Sequence, residues 1–221
     1  MNQLILCNSP RMDGVSPNPY WGICTLNTGH PAVRLIAEPG DWVGGVNWEI
    51  DGGRFTNGHL RFLMKVDSRR TMAEYDEWVR SQLPEKIPNL EHRNPIRHLG
   101  DAIYDFRGDE PRPRLPFISQ AQMKLDLLGK YALSSHHFLY FGDNCLNLPE
   151  GTLEKTFSGK PLCIDLSSRT ARMIFAHIEK FDISFGELPG DPQIYPYADE
   201  SQIRAWSEAR QIEAELELQL N

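Results

Sequence analysis

The sequence predicts an α+β domain, and three observations predict it. Trp42 to Val46 is an apolar run, His59 to Val66 alternates apolar and polar residues, and a polar, glycine-bearing stretch joins them, so an antiparallel hairpin is the simplest topology. Thr71-Met72-Ala73-Glu74 then fits a capping box at a helix start, with Met72, Tyr75, Trp78 and Val79 on one face. Farther on, Ser168 caps a helical pattern through Ala171, Ile174, Phe175, Ile178 and Phe181. The expectation is a curved antiparallel sheet flanked by helices.

In chain order, Leu4 to Leu6 reads as a short strand running into Asn8-Ser9-Pro10 and Pro17-Asn18-Pro19, whose prolines impose an irregular loop. Tyr20 to Leu26 and Val33 to Ala37 read as strands or extended segments. Pro39-Gly40-Asp41 turns the chain into the Trp42 strand, and Asn47 to Gly58 reads as a loop or loose hairpin. The first helix should stop near Leu83-Pro84. Glu85 to Leu115 is a long, proline-rich segment in which Gly100 to Tyr104 looks ordered. A short helix fits Ser119 to Lys130, a strand fits Ser135 to Gly142, and a last helix opens at Asp199-Glu200-Ser201 and frays into an acidic tail from Glu213. One domain is expected over residues 1–198, with 199–221 forming a C-terminal helix and tail.

Composition excludes several classes. With 40% hydrophobic and 24% charged residues in 221, the chain should fold as an ordinary globular domain. A net charge of -7 argues against a general coater of nucleic acid, though not against a pocket for one nucleotide. No run approaches the ~20 apolar residues that span a bilayer, and the N-terminus lacks a signal-peptide core, so no membrane partner is expected and the cytoplasm is the expected location. Cys7, Cys24, Cys145 and Cys163 are scattered without CxxC spacing, and no disulfide framework or metal site is expected.

The standard phosphate-loop, dinucleotide, HExxH, GxSxG and zinc-deaminase signatures are missing, and no cofactor is implied. His136 and His137 point to opposite faces of a strand and cannot share one ion. Cys24 would need a histidine or cation to become a thiolate, with His30 near in sequence, and is otherwise a small buried hydrophobe. Trp21 and Trp42 could stack on a base or simply pack in the core. Asp41 and Asp101 each follow a glycine and could accept hydrogen bonds from a base or close a turn.

Pro17-Asn18-Pro19-Tyr20-Trp21-Gly22-Ile23-Cys24-Thr25-Leu26, Pro31-Ala32-Val33-Arg34, Gly40-Asp41-Trp42-Val43-Gly44, Leu63-Met64-Lys65-Val66, Tyr75, Gly100-Asp101-Ala102-Ile103-Tyr104, Phe138 to Gly142 and Leu148-Pro149 together resemble, in order, the nucleotide modification associated domain family of the second type. The resemblance implies a part in installing, altering or recognising modified bases, and directs attention to Asn18, Cys24, Thr25, Arg34, Asp41, Asp101 and Tyr104. Where that family often has a second cysteine after the Cys-Thr-Leu run this chain has Gly29, and Ala102 replaces an asparagine, so a two-cysteine redox or metal mechanism is not expected. The two long strands also look like the core hairpin of PUA, EVE and YTH barrels, a fold-level analogy that would make the sheet a partly closed PUA/EVE-like β-barrel.

Three functions follow as expectations. The first is a module that recognises a modified base or nucleotide, alone or within nucleic acid, with Trp21 or Trp42 stacking, and Asn18, Thr25, Arg34 and Asp41 among the binding groups. The second is an enzyme in which Cys24 attacks or Asp101 acts as general base, assisted by Tyr104 or by a histidine of the 92–98 loop, His92 or His98. The third is an accessory subunit that meets partner enzymes of a base-modification pathway through its acidic C-terminal helix.

Overall fold

The computed structural model describes residues 2–9, 11–51, 54–153, 160–193 and 200–219. Its long hairpin pairs β3 (Trp42–Asp51) with β4 (Arg54–Lys65) in antiparallel register from Trp42↔Lys65 to Asp51↔Arg54. Pairing thus continues through most of the stretch that reads as a loop in the sequence. It does so with two register shifts. At one of them Gly45 faces Phe62 while Val46 faces Leu60, which leaves Arg61 as an extra residue on β4. The bulge reverses which face each side chain takes. Leu60 and Leu63 point to one face of the sheet, whereas Phe62 and Met64 point to the other. Gly45 makes room for this: a Cβ there would lie 2.2 Å from the Phe62 ring and 2.7 Å from the Ser9 hydroxyl.

β1 (Gln3–Asn8) lies beside β3 in parallel register, Leu4↔Trp42 to Asn8↔Val46. The sheet is therefore mixed rather than wholly antiparallel. The physical reason is the connection: about thirty residues separate β1 from β3, enough for the crossover that parallel neighbours need. Within it lie β2 (Cys24–Leu26) and α1 (Pro31–Ile36). The extended reading of Val33 to Ala37 is thus corrected to a helix, opened by Pro31, whose fixed φ suits the first helical turn. Only Cys24 to Leu26 of the Tyr20 run is a strand, because Trp21 and Gly22 take positive φ of 64° and 77° and turn the chain.

After β4 the chain turns a corner at Val66-Asp67 into β5 (Ser68–Thr71) and then α2 (Met72–Gln82), whose capping box at Thr71 and Glu74 forms as expected. Two 3-10 turns, at Pro84–Lys86 and Pro95–Leu99, and a small ladder of β6 (Tyr104–Asp105) with β7 (Arg112–Pro113) order the proline-rich segment. Next come α3 (Gln120–Leu128), capped by Ser119, and β8 (Tyr131–Ser135). β9 (His137–Tyr140) follows after a bend at His136, so the expected single strand over 135–142 is two strands in different sheets. β8 pairs with β2 and β5, and β9 pairs with β4. The larger sheet is completed by β10 (Leu146–Asn147) on β4 and β11 (Leu162–Asp165) on β1. No closed barrel is formed by the described strands.

α4 (Arg169–Ile178), capped by Ser168, covers one face of the larger sheet through Ala171, Ile174 and Ile178 against Leu4, Leu6 and Leu63. The smaller sheet covers the other, with Cys24, Leu26 and Leu133 against Ile5, Val43, Phe62 and Met64. α5 (Glu200–Gln219) stays helical through Gln219 instead of fraying at Glu213, because its inner face is held by the domain. Its contacts run chiefly to α1 and α3.

Candidate functional site

The stretch between β1 and α1, residue 9 and residues 11 to 30, carries much of the polar chemistry, and two sets of buried contacts hold it. Asn18 and Thr25 form a backbone bridge with paired bonds of 2.8 and 2.9 Å, which closes the Tyr20 to Ile23 turn. Lys86, delivered by the 3-10 turn after α2, enters beneath that turn. Its fully buried ammonium donates to the Asn18 carbonyl (2.9 Å), the Asn18 side-chain oxygen (2.6 Å) and the Ile23 carbonyl (2.8 Å). All three of its protons find acceptors. The Asn18 amide in turn donates to the carbonyls of Gly14 and Leu99.

Cys24 and Asp101 belong to this buried set. Burial pushes the Cys24 thiol up to about 12, with Lys86 opposing and Asp101 reinforcing the rise, and the sulfur rests 3.9 Å from that of Met64. Asp101 accepts a 2.6 Å hydrogen bond from Tyr75, and its backbone carbonyl accepts one from Asn27. Burial raises its carboxyl above the usual range, against Lys86 and the Tyr75 and Thr25 hydroxyls. Burial likewise pushes Lys86 down to about 8, against the pull of Asp101 and Cys24. Trp21 lies at the edge of the set, partly exposed, with Lys86 Nζ 5.5 Å and Arg97 Cζ 5.7 Å from its ring centroid.

A second set forms around Asp126 of α3. Tyr104 donates to it at 2.6 Å, and the Gly29 amide donates to its other oxygen at 2.8 Å. Arg34, fully buried, spreads its guanidinium over the carbonyls of Gly29 (2.7 Å), Asp126 (2.6 Å) and Tyr131 (2.9 Å). Gly129 leaves the space for it, since a Cβ there would lie 2.4 Å from the guanidinium carbon. Burial brings Arg34 down to about 10 even beside Asp126. Arg34 and Tyr104 thus fix Gly29 and, through it, the position of His30.

Asp41 and Trp42 lie elsewhere. The Asp41 carboxylate accepts from the backbone amides of Gln3 (2.8 Å) and Glu38 (2.9 Å), closing the turn before β3. Trp42 points to the α4 side of the sheet, against Phe175, Phe185 and His137, whereas Cys24 packs on the opposite face.

Between the 9–30 loop and α5 lies a cavity of about 170 Å³. The loop side presents Ser9, Arg11, Asp13, Ser16 and His30; the helix side presents Trp206, Arg210 and Glu213 with three alanines. Asp13 organises the wall. One of its oxygens accepts from the amides of Val15 and Ser16, and the other accepts from Trp206 Nε1 at 2.6 Å and faces Arg210 at 3.6 Å. Arg210 also lies 3.7 Å from Asp126, so the second buried set meets the cavity through it. His30 bonds Ser9 Oγ through Nε2 (3.1 Å) and Glu217 through Nδ1 (2.6 Å). It therefore serves Ser9 and Glu217 rather than Cys24. Although burial alone would lower it, neighbouring Cys7 and Glu217 raise the His30 imidazole well above its ordinary value.

None of Asn18, Trp21, Cys24, Thr25, Arg34, Asp41, Trp42, Asp101 and Tyr104 lines the cavity. Asn18, Thr25, Cys24 and Asp101 come together around Lys86, and Arg34 and Tyr104 around Asp126. Sequence reasoning passed over Ser9, Asp13, Lys86, Asp126, Trp206, Arg210 and Glu217. For most of them no local signal exists; Asp13 before Gly14, a turn pair ahead of two prolines, is the nearest to one. Among the described residues, no group of three or more His, Cys, Asp or Glu could hold a metal ion, and no helix is long and apolar enough to cross a membrane.

The molecule is thus an α+β domain of two corner-linked sheets, with a polar loop held from below by buried ions and covered from above by a helix. Residues 10–192 match the family described as nucleotide modification associated domain 2, and the chain belongs to that family. Membership associates it with nucleotide modification. No significant match to a curated protein or to a solved structure was found. α5, with Trp206, Arg210 and Glu217, lies beyond the matched residues.

Proposed function

We propose that the protein recognises a modified base or nucleotide in the cavity beneath α5. The observation that carries this reading is the cavity's make-up. It has about 170 Å³ of room, donors and acceptors on the loop side, and the Trp206 ring with small alanines on the helix side. Pockets for whole drug-sized ligands run to roughly 300–1,000 Å³, so a cavity this small suits one base-sized group rather than a dinucleotide. Ser16 offers its hydroxyl and Arg11 its donors to a base edge, while Asp13, which already accepts from Val15, Ser16 and Trp206, holds Trp206 and Arg210 in the wall.

On this reading Asn18, Thr25, Arg34, Asp101 and Tyr104 act from behind the cavity, keeping the loop in its binding shape. A thiolate nucleophile at Cys24 is disfavoured, since burial holds its proton against the pull of Lys86. Immobilised protein incubated with a pool of normal and modified nucleotides and short DNA digests, followed by mass spectrometry, tests the reading. Retention of a modified species by wild type, weakened at least tenfold by Trp206→Leu and by Arg11→Gln, supports it. No retained nucleotide, or retention unaffected by both substitutions, overturns it.

A further inference from the structure

We propose that Ser9, His30 and Glu217 form a nucleophile, base and orienting carboxylate, and that the cavity under α5 removes a small acyl group from an ester or activated amide. The geometry is that of a serine relay. Ser9 Oγ lies 3.1 Å from His30 Nε2, and His30 Nδ1 lies 2.6 Å from Glu217. The three roles sit on three separate elements: the end of β1, the turn before α1 and the last turns of α5. Such a relay is recognised by its geometry and roles, whatever the order of its members along the chain.

Several features fit a reactive serine better than a helix-docking contact alone. Ser9 and His30 both line the cavity, which puts the buried Ser9–His30 pair at its wall. The Ser9 amide is held by the Val46 carbonyl at 2.9 Å, and Gly45 lets the sheet approach its hydroxyl, which places Oγ rigidly. His30 is held in a left-handed conformation, φ 44° and ψ 52°, at the start of α1, with Gly29 before it fixed by Arg34 and Asp126. Non-glycine residues are strained there, and such strain gathers at functional sites.

The step balances within these groups and water. In the form of His30 that has lost its Nε2 proton, which prevails above its raised folded value, Ser9 Oγ forms a bond to the carbonyl carbon while its proton passes to His30 Nε2, and Glu217 holds the Nδ1 proton. The carbonyl electron pair moves onto oxygen, opposite the guanidinium charge of Arg11 and Arg210 on the same walls. Collapse breaks the bond to the leaving oxygen or nitrogen, which takes the proton from His30. Water then repeats the sequence, releasing a carboxylic acid and restoring Ser9. A neutral carbonyl suits the site better than a phosphate does, because Asp13, Glu213 and Glu217 offset Arg11 and Arg210.

This inference uses the same cavity as base recognition but does not rest on it, and a probe without a base separates the two. The full-length protein is incubated with a fluorophosphonate, digested, and the adduct mapped by mass spectrometry, alongside release of nitrophenol from p-nitrophenyl acetate. The expected result is an adduct on Ser9 and turnover lost in Ser9→Ala. The labelling rate should fall at least 100-fold in His30→Gln and at least 10-fold in Glu217→Gln. Wild-type labelling decides the matter even where a variant misfolds: no adduct on Ser9 overturns the proposal. So does an adduct that forms as fast in a folded His30→Gln variant as in wild type.

Discussion

The Lys86 ammonium grips Asn18 twice, through its backbone carbonyl and its side-chain oxygen, across 68 residues of sequence. With its third bond to Ile23 it ties both strands of the Tyr20 turn to the segment after α2. A fully buried lysine is tolerated only when its protons are all taken, and here they are.

Lys86→Met should therefore remove three buried, charge-assisted hydrogen bonds to Asn18 and Ile23 and cost about 3–5 kcal/mol of stability. Urea unfolding at pH 7 measures this. A loss under 1 kcal/mol would mean that the ammonium contributes little to holding the loop.

Alkaline pH should separate Lys86 from Cys24. Lys86 sits at about 8 when folded against 10.5 ordinarily, so between these values the unfolded chain holds the extra proton and this group makes stability rise with pH. Cys24, at about 12 folded against 9.0, works in reverse: the unfolded thiol ionises first, and stability falls above pH 9. Relative to its own value at pH 8, Cys24→Ala should lose less stability than wild type by pH 10.5. Parallel slopes would show that the thiol is not held protonated in the fold. At pH 7 the same variant should retain nucleotide binding.

Tyr104→Phe removes one buried hydrogen bond to Asp126 and should cost about 1–3 kcal/mol. Arg34→Ala removes three carbonyl contacts and leaves a space beside Gly129, so it should cost more and loosen the Gly29-His30 turn. Hydrogen exchange at the Gly29 amide reads this directly, since its bond to Asp126 depends on both residues. Unchanged protection in Arg34→Ala would separate the arginine from the cavity.

His30 should make α5 sensitive to pH. Its folded value is raised above the unfolded one, so the stabilisation from its pairing with Glu217 is full below about pH 6.5 and is lost as pH rises through the folded value. Limited trypsin cleavage within α5 should speed up over that rise, and Glu217→Gln should flatten the dependence. Acyl turnover, which needs the neutral imidazole, should increase over the same window. Cleavage independent of pH in wild type would count against the pairing.

Much of the fold was legible because local chemistry dictates it. The Thr71 and Ser168 caps and the apolar patterns of the hairpin strands arise within a few residues, from hydrogen bonds and periodicity that survive any tertiary setting. Val33 to Ala37 is helical although it reads as extended, because so short a run does not distinguish a strand from one helical turn, and Pro31 supplies the first turn. Of the polar residues named from the family pattern, Asn18, Cys24, Thr25 and Asp101 are buried around Lys86, Arg34 and Tyr104 around Asp126, and Asp41 closes a separate turn.

By itself, then, the sequence determined the α+β class, the caps and turns, and, through the order of its short motifs, the family. Tertiary structure alone decided that β1 joins β3 in parallel, that Lys86 lies under Asn18, and that Ser9, His30 and Glu217 meet. The reason is distance along the chain. His30 and Glu217 are separated by 187 residues, and no periodicity or propensity acts over such a span. Only the packing of α5 against the loop brings them within hydrogen-bond reach.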